Sequence, residues 1–188
     1  FHPASPYAIS KVGTDLIGRF YHEAYGLDVQ TTRMFTHTGP RRGDVFVESN
    51  FAKQIAFIEA GAIEPVVHVG NLASMRTWCD VRDAVRAYHL LLTHNPQPGA
   101  TYNIGGDFSC KVSSMLNELI GLSTVSRIGI EQDSARVRPI DADLQVPDTS
   151  KFRNHTGWRP EIPFEQTMKD LLDYWRAQVA CGAAVLRR

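Results

Sequence analysis

The sequence predicts an α/β chain, and three observations lead there. Stretches whose apolar residues recur at helical spacing alternate with short runs rich in Val, Ile, Thr and aromatic residues. Glycine and proline breaks fall between the two kinds of stretch. At 188 residues the chain suits one domain or slightly more and can bury a sizeable core.

Ser5 suits an N-cap, Pro6 the first helical position and Gly26 a C-cap, so a helix is expected between them. At about 100° per residue, Tyr7, Lys11, Thr14 and Gly18 share one stripe. Ile9, Val12, Leu16, Phe20 and Ala24 fall on the opposite one, which is expected to pack. Residues 29–35 read as a strand, 51–60 as an amphipathic helix stopped by Gly61, and 66–69 as a second strand. A helix is expected from Asp80 to about Leu92. Asp80 and Asp83 are acids at its start, and Arg82 and Arg86 form a solvated face. Asn95-Pro96-Gln97-Pro98-Gly99 breaks it, a strand follows over 100–104, and Gly105-Gly106 marks a turn. A helix over 112–120, a strand over 125–130 and a last amphipathic helix carrying Phe164, Met168, Leu171, Leu172 and Trp175 complete the pattern. Trp158 and Pro160 are read as structural.

Composition excludes several partners. Twenty basic and twenty acidic residues give no net charge, which speaks against a nucleic-acid or anionic-membrane surface. Apolar runs such as Leu90-Leu91-Leu92 are far too short to cross a bilayer, and no signal-peptide pattern opens the chain. Three widely spaced cysteines without C-x-x-C fit buried thiols in a reducing cytoplasm. No H-E-x-x-H, paired cysteines or G-x-S-x-G is present, so neither a metal site nor a hydrolase elbow is expected.

The first helix carries the chemistry. Residues four apart share a helix face, so Lys11 stands one turn beyond Tyr7. A phenol titrates near 10 in water, and an ammonium about 4 Å away is worth on the order of 4 kcal/mol at an effective dielectric near 20. Such a phenol can exchange a proton with a sugar hydroxyl or carbonyl. On spacing alone, Y-x-x-x-K is also common on surface helices. The whole stretch Ser5-Pro6-Tyr7-Ala8-Ile9-Ser10-Lys11 resembles the active-site helix of the extended short-chain dehydrogenase/reductase family of sugar-nucleotide dehydratases, epimerases and reductases. The resemblance implies that Tyr7 is the catalytic acid/base and that Lys11 assists it and binds the nicotinamide ribose, so both also contact the cofactor.

Further segments extend the resemblance. Thr36-His37-Thr38-Gly39-Pro40-Arg41-Arg42-Gly43-Asp44 follows a strand, where open α/β sheets bind ligands. It resembles the H-x-x-P-R-R-G-[DE] loop of GDP-mannose 4,6-dehydratases, which implies cofactor contacts from His37 and Arg42; a lone loop histidine is also often structural. Glu48, Asn50 and Lys53 stand at the entry of the next helix. The resemblance implies sugar or diphosphate contacts for them, with capping and solvation as the alternative. Gly70-Asn71-Leu72 through Arg76 to Asp83 resembles G-N-L-x-x-x-R-D-[FW]-x-x-V-x-D, in which the Arg binds the nucleotide diphosphate; its planar fork of donors suits phosphate oxygens. Thr77 departs from the usual Asp. Arg138, in Arg138-Pro139-Ile140-Asp141, falls where the family places a second nucleotide-binding Arg, although Pro147 replaces a common Gly further on.

No G-x-G-x-x-G follows a strand, so the phosphate-cradling half of a dinucleotide fold is not in this sequence. The expectation is therefore the C-terminal part of an NAD(P)-binding Rossmann-type doubly wound sheet plus a small substrate-binding subdomain. Residues 1–35 would end the Rossmann-type domain and 36–188 would form mostly the substrate part, with elements returning to the sheet. The resemblance implies an intact enzyme that turns GDP-mannose into GDP-4-keto-6-deoxymannose through NADP (or NAD), the chain alone being inactive. GDP-4-keto-6-deoxymannose reductase, another nucleotide-sugar epimerase/dehydratase and a non-catalytic nucleotide-sugar-binding module are the alternatives. Relatives pair through the Tyr/Lys helix, which implies a homodimer or homotetramer.

Overall fold

The computed structural model describes residue 3 and residues 5–137 and 144–185. Helix α1 (Pro6–Tyr25) starts as its cap residues require: Ser5 Oγ accepts the Ala8 N–H at 3.1 Å, and Gly26 closes the helix at φ 67°. Strand β1 (Thr31–Met34) is parallel to β5 (Thr101–Ile104), and β2 (His37–Thr38) is parallel to β4 (Met75–Asp80). β4 also takes β6 (Phe108–Lys111) antiparallel and β8 (Leu144–Gln145) parallel. A separate parallel pair joins β3 (Val66–Val69) to β7 (Gly129–Gln132). The remaining helices are α2 (Val47–Glu59), α3 (Val81–Thr93), α4 (Val112–Gly121), α5 (Ser150–Thr156) and α6 (Phe164–Ala180).

Two apolar clusters form the core. One packs α2, α4 and α6 over β3 and β4 through Ile55, Val67, Trp78, Leu116, Met168 and Leu171. The other joins Cys79, Leu91, Tyr102, Ile104, Phe152 and Trp158, drawing β5, α3 and α5 together. The chain contributes to the clusters in turn along its length. Gly106 is needed where it crosses β4, since a Cβ there would lie 1.8 Å from the Trp78 carbonyl oxygen.

Several elements differ from expectation. β4 and β6 lack a strand's apolar alternation: β4 is buried on both faces over Thr77–Asp80, and β6 is defined by pairing with it. β7 lies a few residues beyond the expected 125–130. α2 begins four residues before 51, because its first turn contains the buried polar residues Glu48 and Ser49. The Ile9–Leu16–Phe20 stripe of α1 is exposed, not packed; no residue of α1 is buried. Arg82 is exposed and Arg86 half-buried, so the expected solvated face holds in part, but both guanidinium groups are also paired. Arg82 pairs with Asp80 and Asp170, while Arg86 pairs with Asp83 and Glu161 and donates to the Arg159 carbonyl. Asp83 in turn accepts the Glu161 and Ile162 N–H groups, and its carbonyl accepts Trp158 Nε1–H, so α3 fixes the turn into α6.

Candidate active-site cleft

One open cleft of about 1460 Å³ runs between α1 and β1 on one side and α2, the start of β4 and the 135–137 segment on the other. Pockets for one small ligand run to roughly 300–1,000 Å³, so this cleft is larger than a single small ligand requires. Tyr7 and Lys11 border it from α1, with the Lys11 ammonium 5.4 Å from the centre of the Tyr7 ring. Tyr7 is 71% exposed.

The 37–44 loop supplies the next wall. His37 Nδ1–H donates to the Phe35 carbonyl at 3.2 Å, which fixes the ring at the wall of the cleft. Pro40 and Arg41 form the corner of a turn closed by the Arg42 N–H on the Gly39 carbonyl, with Arg41 at φ 71°. Arg42 stacks over Phe46, 3.3 Å from the ring centre, and its Nε donates to Glu48 Oε1 at 3.2 Å. Glu48 is only 2% exposed, so its charge is matched inside the wall. Behind it, Trp175 Nε1–H donates to Ser49 Oγ, and that hydroxyl donates to the Arg42 carbonyl at 2.6 Å. The loop is thereby tied to both α2 and α6.

Asn50 and Lys53 border a hollow of about 510 Å³ together with Asp44, His68 and Arg136; Asn50 borders the larger cleft as well. Lys53 Nζ donates to Asp44 Oδ2 at 2.7 Å and to the Val185 carbonyl at 2.6 Å. Asn50 Oδ1 accepts from Gln54 at 2.7 Å and from Arg136 Nη1 at 2.9 Å. Arg76, on β4, is half-buried and borders the cleft. Arg138 lies outside the described residues. The cleft therefore brings together Tyr7, Lys11, His37, Arg42, Glu48, Asn50 and Arg76, while Lys53 stands at the adjoining hollow.

Sequence reasoning missed four residues of these walls. Asp15 lies one turn beyond Lys11, a spacing that could have flagged it; its partner Arg33 is separated by eighteen positions and carried no local signal. Arg136 gained its place only from the fold. Ser74 borders the cleft nearly buried, with no hydrogen-bond partner for its hydroxyl, and nothing in the sequence marks that. Among the described residues, no three His, Cys, Asp or Glu side chains group as a metal site, and no helix is long and apolar enough to cross a membrane.

A family model described as GDP-mannose 4,6 dehydratase matches residues 1–171. GDP-6-deoxy-D-mannose reductase of Pseudomonas aeruginosa is 32% identical over 178 residues, which is 95% of this chain and 58% of that protein. GDP-mannose 4,6 dehydratase 1 of Arabidopsis thaliana is 31% identical over 174 residues, 92% of this chain and 47% of that protein. The solved structure of RMD from Pseudomonas aeruginosa complexed with NADPH aligns with a TM-score of 0.86 at 30% identity, over 94% of this chain and 58% of that one. The chain spans about half the length of the curated relatives it matches.

Proposed function

The chain belongs to the GDP-mannose 4,6-dehydratase family, and on that premise we propose that it forms the substrate-side half of an NADP-dependent dehydratase acting on GDP-mannose. The observation that carries the reading is a single cleft bordered by Tyr7 and Lys11 on one wall and by Arg76 on the other. The unpartnered Ser74 hydroxyl and the half-buried Arg42 give that cleft polar groups that fit a ribose or phosphate. The sequence holds no glycine-rich phosphate turn, so the residues present fit the nicotinamide-ribose end of the cofactor alone.

When bound, NADP supplies the hydride exchange with the sugar. Tyr7 exchanges the proton of the sugar hydroxyl as the carbonyl forms, and Lys11, one turn further on, would hold the cofactor ribose beside it. Arg76 and Arg138 grip the diphosphate, so that binding energy far from the reacting carbon orients it. Asn50 borders the cleft on the nucleotide side, whereas Lys53, held by Asp44 and the Val185 carbonyl, shapes the adjoining hollow instead of meeting the nucleotide. Glu48 acts through Arg42, which it orients beside the cofactor together with His37. A second copy of the chain covers the exposed Ile9, Leu16, Ile17 and Phe20 of α1, giving a homodimer; a monomer by light scattering at micromolar concentration would contradict this. The three cysteines are free, which supports a reducing cytoplasmic setting, but only Cys79 is buried, while Cys110 is half-buried and Cys181 exposed, against the buried thiols expected.

The similarity to the Pseudomonas aeruginosa reductase favours a second reading, in which Tyr7 gives its proton to a 4-keto sugar. Product analysis separates the two, with protein expressed from its full coding sequence. A keto sugar formed from GDP-mannose with catalytic NADP supports the dehydratase. Stoichiometric NADPH oxidation on the keto sugar, with none formed from GDP-mannose, supports the reductase.

A further inference from the structure

We infer that Asp15 and Arg33 are positioning residues for the reaction, an ion pair that sets the rotation of α1 so that Tyr7 and Lys11 face the cleft. The inference rests on the role proposed for Tyr7. α1 has no fully buried residue and only Ala8, Val12, Gly13, Asp15, Gly18 and His22 are half-buried, so side-chain packing within this chain fixes its orientation weakly. It is held at a few points. At Gly18 an added Cβ would lie 3.2 Å from Val29 Cγ1, so helix and chain meet closely there without a side chain to resist turning. His22 Nδ1–H donates to the Leu27 carbonyl at 2.8 Å near the helix end. Among the described residues, the attachment nearest Tyr7 and Lys11 is Asp15, whose carboxylate receives Arg33 Nε at 2.8 Å and Nη2 at 3.3 Å.

That geometry is directional. Two donors in a planar fork on two carboxylate oxygens resist rotation, whereas a single contact pivots. Arg33 stands on β1, which is paired to β5, so the pair refers the helix to the sheet. The Asp15 side chain is 15% exposed, and the Arg33 guanidinium is raised above its ordinary range, first by its hydrogen bond to Asp15. Tyr7 lies eight residues from Asp15, about 12 Å along the helix axis. Turning α1 by about 30° would carry a side-chain tip, roughly 5–6 Å from the axis, through about 3 Å. Misplacement by about 1 Å already costs on the order of 100-fold in rate. Arg33 also occupies the carboxylate that would otherwise sit one turn from Lys11 as an i,i+4 partner.

The test uses protein expressed from its full coding sequence, with GDP-mannose and NADP. Asp15→Ala and Arg33→Ala are each expected to lower kcat about 100-fold while KM stays within about threefold. The charge swap Asp15→Arg/Arg33→Asp is expected to recover at least about tenfold over either single variant, a rescue that loss of folding would not give. A folded Asp15→Ala protein with kcat within about threefold of the parent, or a swap no better than the singles, overturns the inference. Tyr7→Phe keeps the two ideas apart. If it abolishes turnover while Asp15→Ala does not, only the ion-pair role falls; if it leaves turnover intact, the role of Tyr7 falls.

Discussion

Replacing Asp80 by Ala is expected to lower stability by about 2–3 kcal/mol, and the structure says where that comes from. The residue is 2% exposed and caps α3, Oδ1 accepting the Arg82 N–H at 2.8 Å. Loss of an N-cap costs about 1 kcal/mol. The same carboxylate accepts Arg82 Nε, Arg82 Nη2 and the Thr167 hydroxyl, each at 2.8 Å. Hydrogen bonds to charged groups are worth about 1.5–3 kcal/mol when buried, but Arg82 is 49% exposed and keeps Asp170, so only part of that is lost. Thr167 keeps the Pro163 carbonyl at 3.1 Å. Asp80→Asn retains the capping oxygen and should cost about half as much. Urea unfolding followed by tryptophan fluorescence reads both variants. An Ala variant within about 0.5 kcal/mol of the parent, or an Asn variant as damaged as the Ala one, would refute the reasoning. The pH dependence gives a second reading. Burial pushes the Asp80 carboxyl up, but the Arg82 and Thr167 bonds outweigh it and hold it below the ordinary range. Its contribution is therefore complete above about pH 4, the unfolded value, and fades as pH falls through the folded one. The gap between parent and Asp80→Asn should narrow accordingly in acid.

Gly106→Ala should cost more than 2–3 kcal/mol or prevent accumulation of folded protein, because its methyl meets backbone at Trp78; a soluble variant with an unchanged midpoint would contradict the close crossing. Alkylation at pH 8 should label the exposed Cys181 first. Cys79, buried and pushed up to about 12 by burial and by Asp83 and Asp80, should react only on unfolding, as peptide mass mapping would show. Arg76→Ala should weaken GDP binding by calorimetry about 10–100-fold, with Arg76→Lys intermediate because the planar fork is lost; equal affinity in all three would remove Arg76 from the diphosphate site.

What could be read from the sequence was what local chemistry decides. Ser5, Pro6 and Gly26 announce α1 because capping is a matter of neighbours, and 66–69 declares itself by its run of valines. β4 and β6 stayed hidden because each is a strand only through the other, a pairing set by tertiary packing. Motif resemblance singled out Tyr7, Lys11 and Arg76, which border one cleft, yet it could not tell that Glu48 is committed to Arg42 and Lys53 to Asp44. Pairs such as Asp15 with Arg33, or Glu59 with Arg176, span eighteen and 117 positions and leave no local trace. The apolar stripe on α1 was visible as a pattern, but nothing in the pattern says whether the same chain or another covers it.

The most direct measurement is kcat for Tyr7→Phe in protein expressed from its full coding sequence, with parent and variant compared on GDP-mannose with NADP. Proton exchange at the phenol predicts a loss of about 10²–10⁴-fold with KM little changed. A variant whose kcat stays within about tenfold of the parent would contradict the account.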